Sequence, residues 1–106
     1  MNLINQFNAE GNREGYWEWY YTNGKLMFKG NYVNGKYNGL CEEYYTNGQL
    51  GLKGHYINGE YDGYWESYHS NGQLRYKGNF INGKEEGLWK WYYADGKLSH
   101  QEIYIN

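Results

Sequence analysis

The sequence predicts an all-β protein: a single-layer, twisted antiparallel β-meander built from four stacked β-hairpin repeats of 24 residues. Three observations support this prediction. The 106-residue chain repeats with a 24-residue period from residue 11 onwards, every copy contains Asn-Gly or Asp-Gly turn signals, and proline is absent. A period of this length is typical of arrays in which each unit buries its apolar face against its neighbours.

The repeats follow one another without gaps and form one domain. Residues 1–10 precede the first copy and are predicted to cap the sheet with a partial strand containing Ile4 and Phe7. The four repeats are residues 11–34, 35–58, 59–82 and 83–106. Each is predicted to form a hairpin, because Gly recurs too often for helices while Tyr, Trp and Val favour strands.

Two series of turn signals separate the strands. The first is Asn23-Gly24, Asn47-Gly48, Asn71-Gly72 and Asp95-Gly96, and the second is Asn34-Gly35, Asn58-Gly59 and Asn82-Gly83. Asn-Gly between β-prone runs favours a two-residue type I′ turn, in which both central residues have positive φ. We expect this turn in the first series, whereas the second fits either a two-residue turn or a longer loop through Gly39.

A two-residue turn in the first series fixes the register of each hairpin. The predicted cross-strand pairs are Trp17–Gly30, Glu18–Lys29, Trp19–Phe28 and Tyr21–Leu26, with Glu42–Lys53, Glu66–Lys77, Cys41–Gly54 and Trp65–Gly78 in later repeats. Three opposite-charge pairs in directly opposed positions support this register. A ring lying over a cross-strand glycine is expected to cover bare backbone.

Alternation of side chains across a strand divides them between two faces. One face carries Trp17, Trp19, Tyr21, Leu26, Phe28 and Tyr32, and the other carries Tyr16, Glu18, Tyr20, Lys29 and Val33. The first is rich in aromatic rings, and the second mixes tyrosines with charges.

The composition limits the function classes. The chain contains 15 Tyr, 5 Trp and 3 Phe with a mean hydropathy of −1.07, which suits a thin sheet covered by rings. A net charge of −2 gives no general attraction for nucleic acid or anionic membranes. The single Cys41 cannot form an internal disulfide, and residues 1–10 lack the pattern of a signal peptide. A cytoplasmic location is therefore expected.

No pattern of residues predicts catalysis, a cofactor or a metal. The three histidines lack ligand spacing, and the loops lack the acidic spacing of a calcium site. Cys41 stands at a tryptophan position with no base beside it, which favours packing over nucleophilic chemistry. Glu18, Glu42 and Glu66 recur at a separation that suits a glycosidase pair, but a lysine opposite each favours paired surface charges. The chain is predicted not to be an enzyme.

The aromatic rings offer a binding surface, because a single-layer sheet cannot bury both of its faces. Exposed patches rich in Tyr and Trp are typical of protein-binding sites. The candidate partner-binding residues are Trp17, Trp19, Tyr21, Phe28, Trp65, Tyr76, Trp89 and Trp91. Trp19 and Trp91 are favoured, because their column holds Glu43 and Ser67 in the middle repeats and a varying column is less constrained by packing.

A recurring string of residues links the copies. In one stretch it reads Lys29-Gly30, Tyr32, Asn34-Gly35-Lys36, Gly39, Tyr44-Tyr45, Asn47-Gly48 and Leu50. This string resembles the MORN repeat in its bacterial variant form over residues 11–106, with departures at Cys41, at Asp95 and at the lost Lys-Gly of the fourth copy. The resemblance implies a stacked hairpin sheet with a binding or scaffolding role and no shared catalytic residues. Bacterial proteins with this variant are often labelled antitoxins, which implies neutralisation of a toxin by binding.

These observations favour a non-enzymatic protein-binding module that acts as an antitoxin, an immunity protein or another inhibitor of one partner, such as a toxin or effector. One alternative is a carbohydrate- or choline-binding module, because Tyr-Tyr-x-Asn-Gly resembles the hairpins of cell-wall-binding proteins. A membrane-associated scaffold is a weaker alternative, because the sequence shows no basic patch. Pairing of the strand containing Ile103 and Ile105 would give a dimer, so the expected state is a monomer or an edge-paired dimer. No nucleic acid partner is expected.

Overall fold

The computed structural model describes residues 3–105 and shows one open antiparallel sheet of nine strands in meander order. The strands are β1 (Gln6–Phe7), β2 (Arg13–Tyr20), β3 (Leu26–Val33), β4 (Lys36–Tyr44), β5 (Leu50–Ile57), β6 (Glu60–Tyr68), β7 (Leu74–Ile81), β8 (Lys84–Tyr92) and β9 (Leu98–Tyr104). Residues 3–105 contain no helix, so the predicted all-β meander is confirmed. Residues 1, 2 and 106, which belong to the predicted capping segment and fourth repeat, lie outside the described residues.

The sheet is a single layer, as predicted. Its principal dimensions are 46 × 37 × 19 Å. Nine strands at about 4.8 Å spacing span about 38 Å, so the hairpins stack side by side along the sheet and do not fold back into a second layer.

The second turn series forms two-residue hairpins. Asn34 and Gly35 have φ angles of 51° and 85°, and positive φ at both positions is what a type I′ turn requires. The longer loop through Gly39 is absent, because Gly39 lies inside β4 beside an irregularity in the pairing with β3. The Gly35 amide also donates to the Arg13 carbonyl oxygen at 2.8 Å, and Gly59 donates likewise to Tyr37. Each turn is thereby tied to the strand that begins the preceding hairpin.

The first turn series differs from the predicted two-residue type I′ turn. The Gly24 amide donates to the Tyr21 carbonyl oxygen, and the Tyr21 amide donates to the Lys25 carbonyl oxygen. Gly24 has a φ of 87°, whereas Asn23 keeps a negative φ. These features define a three-residue loop, in which a type I turn is followed by a glycine in the left-handed region.

A bulge offsets the longer loop. Tyr20, rather than Tyr21, pairs with Leu26, so the predicted Tyr21–Leu26 pair is wrong. The register then shifts by one residue at Met27, and Trp19 pairs with Phe28. A bulge inserts one residue into one strand of a pair and so restores the register beyond it. The same shift recurs in the three later hairpins of this series.

The remaining predicted pairs are confirmed. They are Trp17–Gly30, Glu18–Lys29, Cys41–Gly54, Glu42–Lys53, Trp65–Gly78 and Glu66–Lys77. Among residues 3–105, however, ion-pair geometry is reached between neighbouring hairpins, where Lys29 Nζ lies 3.5 Å from Glu42 Oε1. We call the side of the sheet that carries Trp17, Trp19 and Phe28 the aromatic face, and the side that carries Glu18, Lys29 and Glu42 the charged face.

A column of buried side chains at equivalent positions, three tryptophans and one cysteine, forms the core of the aromatic face. Trp17, Cys41, Trp65 and Trp89 are all buried. A side chain at Gly54 would overlap the indole of Trp65, and Gly78 has the same relation to Trp89. The rings over Gly54 and Gly78 therefore come from the strand of the following hairpin, not from the partner within the hairpin as predicted.

Indole hydrogen bonds fix the tryptophan rings in this column. The Trp65 Nε1 group donates to the His55 carbonyl oxygen at 3.1 Å, and Trp89 donates to Asn79 in the same way. A buried indole needs such an acceptor. Each tryptophan thus joins two successive hairpins by ring packing and by a hydrogen bond.

The described part of the capping segment protects one end of the sheet. The side chain of Asn5 accepts a hydrogen bond from the Glu18 amide at 2.8 Å and donates to the Glu18 carbonyl oxygen at 3.2 Å. Phe7 packs edge-on against Trp17, with ring centroids 5.2 Å apart. Asn5 therefore acts in place of a strand, while the opposite edge, β9, has no neighbouring strand.

Candidate functional site

One row of side chains crosses the whole aromatic face. Cross-strand pairing connects one residue of each strand from β2 to β9. The row consists of Trp19, Phe28, Glu43, Leu52, Ser67, Tyr76, Trp91 and His100. We call it the cross-sheet row. Aromatic rings occupy both of its ends, whereas three non-aromatic side chains occupy its middle.

The middle of the cross-sheet row forms a groove of about 440 Å³. Its lining comprises Tyr21, Met27, Phe28, Glu43, Tyr44, Tyr45, Gly51, Leu52, Ser67, Arg75 and Tyr76. Phe28 on β3 and Tyr76 on β7 lie four strands apart, which is about 19 Å between backbones. An extended peptide or a helix of about 10 Å diameter fits between walls at this separation.

Arg75 lies along one wall of the groove. Its Nε and Nη2 groups donate to Ser67 Oγ at 3.0 and 2.9 Å, and its guanidinium lies 5.2 Å from the ring centroid of Tyr76. Ser67 is only 1% exposed. Because Arg75 is held by a hydroxyl and a ring, the groove has a fixed positive group at this end.

A second depression of about 370 Å³ adjoins the groove and shares Met27, Phe28 and Glu43 with it. Trp19 and Arg13 also line it. The Arg13 guanidinium lies 5.1 Å from the ring centroid of Trp19 and stacks over two further rings. The two depressions form one continuous surface from Arg13 to Arg75, the two arginines of the chain.

Glu43 is the acidic group where the two depressions meet. Its side chain is exposed, and it makes no hydrogen bond or ion pair with any other residue of the described range 3–105. The carboxylate also affects the thiol of Cys41, which lies two residues earlier on β4. Burial first, and then the negative charge of Glu43, raise the pKa of that thiol to about 12. Glu43 therefore offers an unpaired acceptor between walls of aromatic rings.

A ladder of rings supports one side of this surface. Tyr32, Tyr37, Tyr56, Tyr61 and Phe80 follow one another across β3 to β7, with neighbouring centroids 4.7 to 5.2 Å apart. Burial is the main cause that raises the pKa of Tyr37 and Tyr56 above the usual range, and hydroxyl contacts within the ladder add to it. The ladder holds successive hairpins in a fixed relation and so preorganises the surface beside it.

The predicted partner-binding residues divide into two groups. Trp17, Phe28, Trp65 and Trp89 are buried, and their packing accounts for their position. Trp19, Tyr21, Tyr76 and Trp91 are partly buried. Phe28, Tyr21 and Tyr76 line the groove, Trp19 lines the second depression, and Trp91 stacks on His100 with centroids 4.5 Å apart. A role in binding stays a prediction for all eight residues.

Sequence reasoning missed the two arginines of this surface. Arg13 replaces the tyrosine found at positions 37 and 61, and Arg75 takes the place of Met27 and Gly51. Both departures from the repeat could have pointed to a specialised surface, as the departures at Glu43 and Ser67 did.

The charged face holds its glutamates with tyrosine hydroxyls. Glu18 accepts hydrogen bonds from Tyr20 at 2.6 Å and from Tyr16 at 2.9 Å. These bonds, Tyr20 first, lower the pKa of the Glu18 carboxyl, which opposes a role as a general acid. Glu66 is held in the same manner by Tyr64 and Tyr68. The recurring glutamates are therefore structural acceptors.

Other chemistry finds little support within residues 3–105. Among them there is no group of three or more His, Cys, Asp or Glu side chains placed to hold a metal ion. His69 bonds the Tyr92 carbonyl oxygen through Nε2 at 2.9 Å and so takes the part that tyrosine hydroxyls play at equivalent positions. The described residues also contain no helix long and apolar enough to cross a membrane.

Comparison with protein families assigns the repeat. The family model described as the MORN repeat variant matches residues 13–34, 37–58, 61–82 and 85–106, which together make up most of the chain. The chain belongs to the MORN repeat variant family. MORN repeats are commonly protein- or membrane-binding modules, and the family is generally non-enzymatic. A comparison with curated proteins found no match.

Proposed function

We propose that this MORN repeat protein is a non-enzymatic module that binds one protein partner by holding a segment of it in the groove of the aromatic face. The observation that carries this proposal is the interruption of the cross-sheet row. If Glu43 and Ser67 were tryptophans like Trp19 and Trp91, Leu52 would be the one non-aromatic side chain left in the row, and indoles would fill the groove on both sides of it. The two middle repeats depart from that arrangement and leave a channel about as wide as one peptide segment.

The surface matches the usual composition of a binding site for protein. Interface hot spots typically combine aromatic anchor residues with a few fixed charges. Here aromatic rings stand at the two ends of the groove, and smaller side chains line its centre. The rings are held by packing on both sides, which lowers the entropy lost on binding. The rigid ladder beside the groove adds to this preorganisation.

The role we propose is that of an antitoxin, an immunity protein or another inhibitor of that one partner. The unpaired Glu43 suits a basic group at the centre of the bound segment, and Arg13 and Arg75 suit acidic groups at its two ends. A module without chemistry of its own can neutralise such a partner by covering the surface that the partner needs for its activity.

Affinity capture from the native cell lysate tests the proposal. The baits are the wild-type chain, Glu43→Trp and Leu40→Trp. Glu43→Trp restores the ring found in the outer repeats and fills the groove, while its exposed position leaves the fold intact. Leu40 is 43% exposed and stands on the charged face, so Leu40→Trp adds an equal ring away from the groove.

We expect one stoichiometric protein on the wild-type and Leu40→Trp baits and its loss on Glu43→Trp. The double variant Trp19→Ala/Trp91→Ala should weaken the capture as well, because it removes the partly buried rings at the two ends of the cross-sheet row. Equal capture by all baits, or no captured protein, would contradict the proposed site.

A further inference from the structure

A second row of side chains crosses the charged face, parallel to the cross-sheet row. It consists of Glu18, Lys29, Glu42, Lys53, Glu66, Lys77, Lys90 and Gln101, each in register with the next. The signs alternate from β2 to β7, so each charge has opposite charges beside it. Like charges directly opposite each other destabilise a sheet. The alternation fails once, where Lys77 on β7 pairs with Lys90 on β8.

This break comes from one residue. The positions equivalent to Lys90 in the other repeats are Glu18, Glu42 and Glu66. Lys77 and Lys90 are partly buried, and neither makes a hydrogen bond or ion pair with another of the residues 3–105. The equivalent contact two repeats earlier is the ion pair of Lys29 with Glu42. The two ammonium groups therefore repel each other with no acid between them.

The lysine pair borders a depression of about 230 Å³. Its lining is Tyr64, Lys77, Gly78, Asn79, Leu88 and Lys90. The side-chain amide of Asn79 lines the depression and has no hydrogen-bond partner among the described residues. The depression thus combines space, two cations and an unused amide donor.

One neighbouring acid offsets part of the positive charge of this site. Glu66 stands opposite Lys77 in register and remains negatively charged, while its carboxylate accepts hydrogen bonds from the hydroxyls of Tyr64 at 3.1 Å and Tyr68 at 2.8 Å. Glu86 is opposite Asn79 in register and does not line the depression.

We propose that this depression is a binding site for a phosphate monoester, with Lys77 and Lys90 as its cationic ligands and Asn79 as an amide donor. A phosphate monoester offers nearly two negative charges and three acceptor oxygens, so it can accept from both ammonium groups and from the amide at once, whereas a carboxylate offers one charge and two oxygens. The anion would take the place of the glutamate that the repeat pattern puts at position 90. The site lies on the face opposite the groove, so it is independent of the proposed protein-binding function.

Reversing the charge of Lys90 distinguishes an anion-binding site from a lysine pair that is merely unfavourable. Lys90→Glu restores the alternation, so we expect it to raise the melting midpoint in phosphate-free buffer and to abolish the response to phosphate. The wild-type midpoint should rise by several degrees in saturating inorganic phosphate relative to sodium chloride of equal ionic strength. Backbone amide resonances of Gly78, Asn79 and Leu88 should shift during the same titration.

Two further variants complete the test. Lys77→Gln should weaken phosphate binding at least roughly tenfold, and Lys53→Gln, which alters an exposed lysine in the same row, should leave it unchanged. No phosphate response in the wild type, or an equal response in Lys90→Glu, would overturn the site. Equal losses in Lys53→Gln and Lys77→Gln would overturn it too, because they would indicate general screening of the row.

The source of the phosphate monoester can be found with the same proteins. Vesicles of phosphatidylcholine with and without a phosphatidylinositol phosphate test a lipid headgroup, and inorganic phosphate tests a free anion. Binding to phosphate and to the phosphoinositide vesicles, lost in Lys90→Glu, supports a headgroup site, and binding to phosphate alone supports a soluble ligand. Binding to neither probe overturns the proposal.

Discussion

Cys41 is the residue at which the buried tryptophan column changes, and the ring of Phe28 compensates for its small size. A side chain at Gly30 would stand 2.9 Å from the Phe28 ring and 3.1 Å from the Cys41 Cβ. At Gly54 and Gly78 that space belongs to the indoles of the next hairpin. Phe28 is accordingly buried, whereas the equivalent Leu52 is only partly so. The thiol is thus a packing residue.

Because Phe28 compensates for the small size of Cys41, substitutions of these two residues should have coupled effects on stability. Cys41→Trp alone should destabilise the fold by about 1 to 3 kcal/mol, because the new indole competes with Phe28 for the space above Gly30. The double variant Cys41→Trp/Phe28→Leu reproduces the Leu52, Gly54 and Trp65 set and should recover most of that loss. Urea unfolding of the two single variants, the double variant and the wild type gives the coupling energy. Additive effects would show that Phe28 does not fill the missing indole's place.

At the scale of the strands and turns, the sequence determined the architecture better than the turn types. The 24-residue period and the Asn-Gly spacing predicted the number, order and pairing of β2 to β9. The same dipeptide nevertheless forms a type I′ turn at Asn34-Gly35 and a three-residue loop at Asn23-Gly24. Contacts between repeats distinguish them: Asn23 Nδ2 donates to the Thr46 carbonyl oxygen of the next loop at 3.2 Å. A single hairpin considered alone lacks that partner.

The groove, too, could be predicted only in part from the sequence. The column of Trp19, Glu43, Ser67 and Trp91 was visible in the sequence, and it marked the site. The cross-sheet row, however, depends on bulges that return each hairpin to register after a longer loop. The contribution of Arg75 depends on the bulge as well, because the equivalent Met27 is the residue that the bulge inserts. Period-two alternation does not tell which face a bulged residue joins.

Turns of the two series should respond differently to glycine. Asn58 has a φ of 50° and its side chain makes no hydrogen bond among residues 3–105, so Asn58→Gly should change stability by less than about 0.5 kcal/mol. Asn47 accepts from the Gln49 amide at 2.9 Å and donates to the Ser70 carbonyl oxygen at 3.0 Å. Asn47→Gly should therefore cost about 1 to 2 kcal/mol. Thermal or urea unfolding measures both, and equal effects would contradict the assignment of two turn types.

At the scale of the whole molecule, the sheet depends on neutral tyrosine hydroxyls spread over both faces. Tyr16, Tyr64 and Tyr68 donate to glutamates on the charged face. Burial first, then hydrogen bonding to the glutamate, raises the pKa of each of these three hydroxyls to about 12. The thiol of Cys41 is raised to about 12 as well, by burial first and then by Glu43. A tyrosinate could not donate these bonds and would repel the carboxylate.

These raised pKa values make the fold sensitive to alkali. Between the ordinary tyrosine pKa of 10.0 and about 12, the unfolded chain loses protons that the folded sheet retains. The unfolded state then binds fewer protons, so the free energy of unfolding decreases as pH rises. The stabilisation is fully present below pH 10 and is lost as pH passes through the folded pKa. We therefore expect the urea midpoint to be flat near neutral pH and to fall steeply across this window.

Glu66→Gln tests the cause of the alkaline loss. The two tyrosines donate to different carboxylate oxygens, so the single amide oxygen of this variant keeps only one of the two bonds and carries no charge, and the pKa of both hydroxyls should return towards the ordinary value. The variant should be less stable than the wild type at neutral pH, where a charged acceptor is stronger, and should lose less stability above pH 10. Spectrophotometric titration at 295 nm, the tyrosinate band, follows the hydroxyls directly. If the urea midpoint of Glu66→Gln falls with pH in parallel with that of the wild type, the alkaline loss of stability would be assigned to burial alone.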